Sequence, residues 1–171
     1  MYLAFDPGET TGWALFDKAG DIKEWGQLTM DELHLKLTEW ESLDIDTVIC
    51  EGFIIYRHKA KKFAGNRMLT IQVIGIVKSF AHRMNAKYVE QDSDILPIAQ
   101  KHTQVFMPKD HSESHKVSAF NHGAEWLIRQ GIRKTALEEE QNTKVKEWKK
   151  DCTCVGGPHG GYTCPRCRGS R

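Results

Sequence analysis

Asp6 and Glu51 each close a short apolar run, Tyr2-Leu-Ala-Phe5 and Thr47-Val-Ile-Cys50. Such runs read as buried strands. If the strands are neighbours, the two carboxylates meet at the lip of a sheet, where α/β proteins commonly build their sites. Two carboxylates held together repel each other, and a cation between them relieves that cost. Hard oxygen ligands favour Mg²⁺ or Mn²⁺, ions that also take phosphate oxygens. Two such ions can activate a water and stabilise the leaving oxygen when a phosphodiester is cut. Read singly, each acid has a plainer use: Asp6 makes the turn with Pro7-Gly8, and Glu51 ends its strand.

A second constellation lies at the other end of the chain. Cys152, Cys154, Cys164 and Cys167 fall within 16 residues, around a Gly-rich loop. Four thiolates at this spacing suit a closed tetrahedral Zn²⁺ site, with His159 as the alternate for Cys152 or Cys154. So short a segment cannot build an apolar core and needs the metal to fold. Between the two constellations runs a basic stretch, Tyr56 to Arg67, with Arg57, Lys59, Lys61, Lys62 and Arg67 and no acid. Following Glu51 so closely, it is placed to hold the phosphates that flank a cut strand, and Tyr56 or Phe63 can stack on a base. The plainer reading is a solvated loop.

The elements that must position these groups can be read from pattern. Residues 2–5 form a strand that stops at Asp6-Pro7-Gly8. Thr11 to Phe16 and Ile22 to Leu28 complete an antiparallel meander. Thr29-Met-Asp-Glu32 fits a capping box and starts a helix with Leu33, Leu37 and Trp40 on one face. After the Thr47–Glu51 strand, apolar residues from Met68 to Met84 recur at helical spacing, and Tyr88-Val89 fits another strand. Residues 92–101 read as a short helix containing Pro97, and 102–111 as loop. A long helix from about Ser112 to Gln130 follows, stopped by Gly131. Val117, Phe120, Ala124, Leu127 and Ile128 share its apolar face, and His111, His115, Ser118 and His122 fall on the polar face opposite.

The segment Asp6-Pro-Gly-Glu-Thr-Thr-Gly-Trp-Ala-Leu-Phe16 resembles the first motif of the RuvC-like Holliday junction resolvases. In that family the first strand ends in Asp-x-Gly, and Thr-Gly with an aromatic residue opens the second. Val48-Ile-Cys-Glu51 is similar to the family's second motif, an acid ending the fourth strand. The resemblance covers roughly residues 1–130 and implies a ribonuclease H-like α/β fold: a mixed sheet, with a three-stranded antiparallel meander plus parallel strands, flanked by helices. The third motif departs from the pattern. The family has two acids three residues apart at the start of its last helix. Here the matching stretch is His115-Lys-Val-Ser118-Ala119, so His115 replaces the first acid and Ser118 the second. A His at the first position is known among bacterial members and can bind a metal or move protons. A hydroxyl binds Mg²⁺ weakly, so Asp110 and Glu113, just before the helix, enter as auxiliary candidates.

The resemblance implies a metal-dependent endonuclease that cuts Holliday junctions or other branched DNA and leaves 5′-phosphates. Asp6, Glu51 and His115 would bind Mg²⁺ or Mn²⁺, in two ions, in a homodimer that cuts symmetrically. The competing reading is a non-catalytic branched-DNA-binding module with a degenerate site.

Composition sets the outer bounds. The 171 residues are 40% hydrophobic and 27% charged, which is ordinary for a globular chain. Net charge is +1, but residues 144–171 hold seven Lys/Arg against two acids, while the rest holds 17 against 21. A basic tail on a mildly acidic body suits a polyanionic partner. The start, Met1 to Asp6, lacks the basic region of a secretory signal, and no apolar run nears the roughly 18 residues of a membrane span. The expected location is the cytoplasm (that of the host if the chain is phage-encoded), with reduced thiols. The organisation expected is a nuclease domain over 1–134, a charged helical linker over 135–150, and a small zinc knuckle or ribbon over 151–171, serving DNA or a protein partner.

Overall fold

The computed structural model describes residues 1–54, 68–109 and 113–151, with side chains through Thr143. The basic stretch (Arg57, Lys59, Lys61, Lys62, Arg67), Asp110, the four tail cysteines and His159 lie outside the described residues. Two compact units are present, Met1–Thr135 and Ala136–Arg171. In the second, the charged stretch forms helix α5 over Ala136–Asp151. Among the described residues no helix is long and apolar enough to cross a membrane.

The first unit is built on five strands: β1 Tyr2–Asp6, β2 Thr10–Phe16, β3 Ile22–Thr29, β4 Thr47–Glu51 and β5 Lys87–Gln91. They lie in the order β3-β2-β1-β4-β5. The first three form the antiparallel meander, and β4 and β5 add parallel to β1. Helices α1 (Met30–Trp40) and α2 (Leu69–Arg83) cover one face. Helix α4 (Ser114–Arg129) covers the other and packs outward on α3 (Leu96–Thr103).

Strand alternation decides which side chains meet which helix. Leu3, Phe5, Trp13, Leu15, Val48 and Cys50 join Leu33, Leu37 and Trp40 of α1 and Val73, Val77 and Phe80 of α2 in the larger core. Burial there pushes the Cys50 thiol up to about 12, so it packs as a small apolar group. Ala4, Ala14, Phe16 and Ile49 point the other way and meet Phe120, Ala124, Trp126 and Leu127 of α4. The central strands are therefore buried on both faces, as their unbroken apolar runs imply.

Local signals set several boundaries. Thr29 Oγ1 accepts from the Glu32 amide while Glu32 Oε2 accepts from the Thr29 amide at 2.8 Å, the reciprocal capping box that starts α1. Pro97 does not interrupt its helix. A 3₁₀ turn over Ser93–Ile95 leads in, and the proline sits in the first turn of α3, where an N–H has no intrahelical partner to lose. That helix extends to Thr103, two residues into the expected loop.

Candidate active site at the carboxyl ends of the central strands

Pairing register turns separate motifs into one transverse row. Gln27 pairs with Gly12, Gly12 with Asp6, and Glu51 with Gln91. Asp6 and Glu51 each follow the paired residues Phe5 and Cys50. Gln27, Gly12, Asp6, Glu51 and Gln91 therefore cross all five strands. The row two residues back is Trp25, Ala14, Ala4, Ile49 and Val89. It belongs to the core beneath α4 or packs on Phe120. The polar row thus continues the α4-facing surface of the sheet beyond its apolar part.

Helix α4 is seated on this row. A Cβ built on Gly12 would lie 1.9 Å from the His115 carbonyl oxygen, so the first turn of the helix rests on bare backbone. Any larger residue there would have to lift the helix. Gly123 makes the matching approach two turns on, where a Cβ would lie 2.4 Å from Phe16. Glu113 occupies the N-cap without capping a helix amide through its side chain, but Gln27 Oε1 accepts from the Lys116 amide at 3.2 Å and so satisfies one of the free N–H groups.

Seated in this way, α4 lays His115, Ser118 and His122 along the carboxylates. His115 Nδ1 lies 2.9 Å from Asp6 Oδ2, within hydrogen-bond distance. Ser118 Oγ donates to Glu51 Oε2 at 3.4 Å, a long bond. His122 Nε2 lies 3.3 Å from the same oxygen, and its Nδ1 lies 3.0 Å from Gln91 Oε1. Asp6 and Glu51 are close enough to perturb each other's ionisation as well. The face of α4 that reads as polar in sequence is not a solvated face. Ser118 is 3% exposed and His122 is 0%, because the helix is enclosed between the sheet and α3.

Glu113, the auxiliary candidate from the preceding turn, holds Lys116 Nζ at 2.6 Å. His122 and Gln91 are the site residues that sequence reading missed. The signal available was the seven-residue spacing of His115 and His122, with Ser118 between them, on one helical face.

The electrostatics separate the two acids. Burial raises the Asp6 carboxyl above its ordinary range, and the neighbouring Glu51 adds to this, against the opposing bond to His115. Burial pushes Glu51 upward too, but the close contact with His122, with those of Asp6 and Ser118, outweighs it and leaves this carboxyl lowered. Of the two, Asp6 is therefore the carboxyl more readily protonated and Glu51 the more readily ionised. The hydrogen bond to Asp6 raises His115 despite its partial burial.

Among the described residues no three His, Cys, Asp or Glu side chains converge to hold a metal ion unaided. Two adjacent carboxylates still suit Mg²⁺, which is usually bound by one or two carboxylates together with waters and phosphate oxygens. Their forced proximity raises a cost that a divalent cation between them would relieve.

No family model matches this chain, and no curated protein matches it. Among solved structures it resembles T. thermophilus RuvC in complex with Holliday junction substrate, with a TM-score of 0.55 and 13% identity over 78% of this chain and 98% of that one. It also aligns with Fowlpox virus resolvase bound to substrate Holliday junction DNA, at a TM-score of 0.49 and 12% identity over 75% of this chain and 99% of that one. The first likeness shows the fold. The mixed five-stranded sheet with helices on both faces is the RuvC-like, ribonuclease H-like arrangement.

Proposed function

We propose that this chain is a divalent-metal-dependent endonuclease that hydrolyses phosphodiester bonds in branched DNA, Holliday junctions foremost, leaving 5′-phosphates. The observation that carries the reading is the side-by-side placement of Asp6 and Glu51 in the polar row. No lysine or arginine among the described residues neutralises them. The RuvC-like fold supports it, since RuvC itself was solved on a Holliday junction.

Bound Mg²⁺ or Mn²⁺, in one or two ions, would supply the charge that lets both acids ionise and that polarises phosphate and water. The residues do the positioning. Asp6 and Glu51 offer oxygens from rigid strand ends. His115 keeps a proton on Nδ1 for Asp6 Oδ2, which leaves Nε2 as the ring atom able to exchange one, and the ring is 41% exposed. Arg57, Lys59, Lys61, Lys62 and Arg67, close behind Glu51 in sequence, are proposed to grip the flanking phosphates. Cys152, Cys154, Cys164 and Cys167, with His159 as alternate, are proposed to bind a structural Zn²⁺. Symmetric cutting of a four-way junction needs two sites and hence a homodimer.

One observation favours a second reading. Ser118 stands where a third acid would be, and its hydroxyl is turned to Glu51, so a degenerate site that binds junctions without cutting is the alternative. The test is cleavage of a labelled four-way junction beside linear duplex, in Mg²⁺ or Mn²⁺. We expect paired nicks with ligatable 5′-phosphate ends, reduced at least about 10³-fold in Asp6→Ala, which corresponds to about 4 kcal/mol of barrier. Nicking retained by that variant would refute the reading. Tight junction binding without nicks in either metal would establish the alternative.

A further inference from the structure

His122 is fully buried, and an imidazole costs more to bury than a leucine of similar size. What it touches explains its presence. Nδ1 lies 3.0 Å from Gln91 Oε1 and Nε2 3.3 Å from Glu51 Oε2. Nε2 makes no aligned hydrogen bond as the site stands, so its contact with Glu51 is a close ion-pair distance. A bare ring lone pair against an ionised carboxylate would repel, so the atom facing Glu51 must carry the proton. This holds in two ways: the ring is doubly protonated, or the Gln91 amide is turned so that its NH₂ donates to Nδ1. Ser118 Oγ reaches the same Glu51 oxygen from one turn earlier. Two groups of α4, the Ser118 hydroxyl and His122 Nε2, therefore face Oε2 of Glu51.

Building on the nuclease reading, we propose that His122, backed by Gln91, is a positioning residue that pins Oε2 of Glu51 and presets the other oxygen for the metal. Together with Ser118 it holds the carboxylate that has no third acid beside it. Outer-shell partners of this kind typically carry about 10–100-fold in metal affinity. His115 serves Asp6 in the same manner, so residues 115, 118 and 122 each hold a strand-end carboxylate from one stripe of the helix.

The test is Mg²⁺ affinity of the full chain without DNA, by titration calorimetry, in wild type, His122→Leu and His122→Gln, with circular dichroism as the fold control. His122→Leu should lose about 10–100-fold in affinity. Its cleavage defect should shrink as Mg²⁺ is raised. His122→Gln, which keeps a donor, should recover most of the affinity. A folded His122→Leu protein with wild-type Mg²⁺ affinity overturns the proposal. Should the leucine variant fail to fold, ¹⁵N-histidine spectra of the wild type decide. Ring nitrogens of His122 that shift with the Mg²⁺-binding midpoint support the proposal, and nitrogens unmoved at saturation overturn it. Wild type that binds Mg²⁺ but is insensitive at residue 122 removes this inference alone. Wild type that binds no Mg²⁺ removes the metal-dependent reading with it.

Discussion

Glu125 and the Asp6–Glu51 pair are carboxylates under cover of the same helix, each beside a histidine, yet their surroundings differ in kind. At Glu125, 1% exposed, each oxygen has its own partner: His102 Nδ1 lies 2.7 Å from Oε2, and Arg129 Nε donates to Oε1 at 2.7 Å. The guanidinium matches the charge, and the cluster joins α3 to α4 alongside the Thr103–Asn121 bond. At the strand ends two carboxylates share their space with two imidazoles and, among the described residues, no Lys or Arg. A buried acid supplied with a fixed cation is a structural joint. A pair left short of positive charge is where we propose a divalent cation binds.

That difference can be broken at its seat. Gly12→Ala pushes a methyl into the His115 backbone and should lift the first turn of α4 from the polar row. Displacement of about 1 Å there should cost on the order of 10²-fold in cleavage. Thermal melts should show about 1–3 kcal/mol of overpacking strain. The Glu125 cluster, three turns along, should be untouched, so restored cleavage would not be expected from any change at Glu125.

Neutralising each acid in turn sharpens the contrast. Glu125→Gln leaves Arg129 and His102 facing an amide and should lower stability by about 1–3 kcal/mol, discounted toward the lower end because Arg129 is half exposed. Cleavage should be retained. Asp6→Asn removes the carboxylate repulsion and should raise the metal-free stability by about 0.5–2 kcal/mol, while abolishing cleavage. Equal signs for the two variants would erase the distinction between joint and site.

The smallest effect is one of pH. The hydrogen bond to Asp6 raises His115 above its ordinary 6.5. A raised folded value means that the contact's stabilisation is complete below 6.5 and is lost as pH rises through the folded value. Metal-free stability should therefore decline with rising pH above 6.5. His115→Gln should flatten that slope and Glu125→Gln should not. Stability that rises through this window because of His115 would contradict the assignment.

Much of this was legible in the sequence. Apolar runs ending in Asp6 and Glu51 marked the strand ends, the family resemblance implied that these ends meet, and its third motif pointed to the start of α4 at His115. Gly12 showed as a motif letter, but its reason is non-local: a helix backbone a hundred residues later rests on it. The roles of His122 and Ser118 were hidden for a related reason. Helical periodicity shows that His115, Ser118 and His122 share a face, but whether that face meets water or a sheet edge depends on α3 closing behind it. Gln91 was equally silent, since its meaning comes from register with Glu51 across β4 and β5.

The central claim, that the strand-end pair is a divalent-cation site and Glu125 is not, is tested most directly by thermal melts with and without Mg²⁺, an ion the tail thiolates do not favour. The account predicts stabilisation of the wild type by about 2.7 kcal/mol at a hundred times the dissociation constant. That gain should vanish in Asp6→Asn and persist in Glu125→Gln. A wild type indifferent to Mg²⁺, or a gain that survives in both Asp6→Asn and Glu51→Gln, would contradict it.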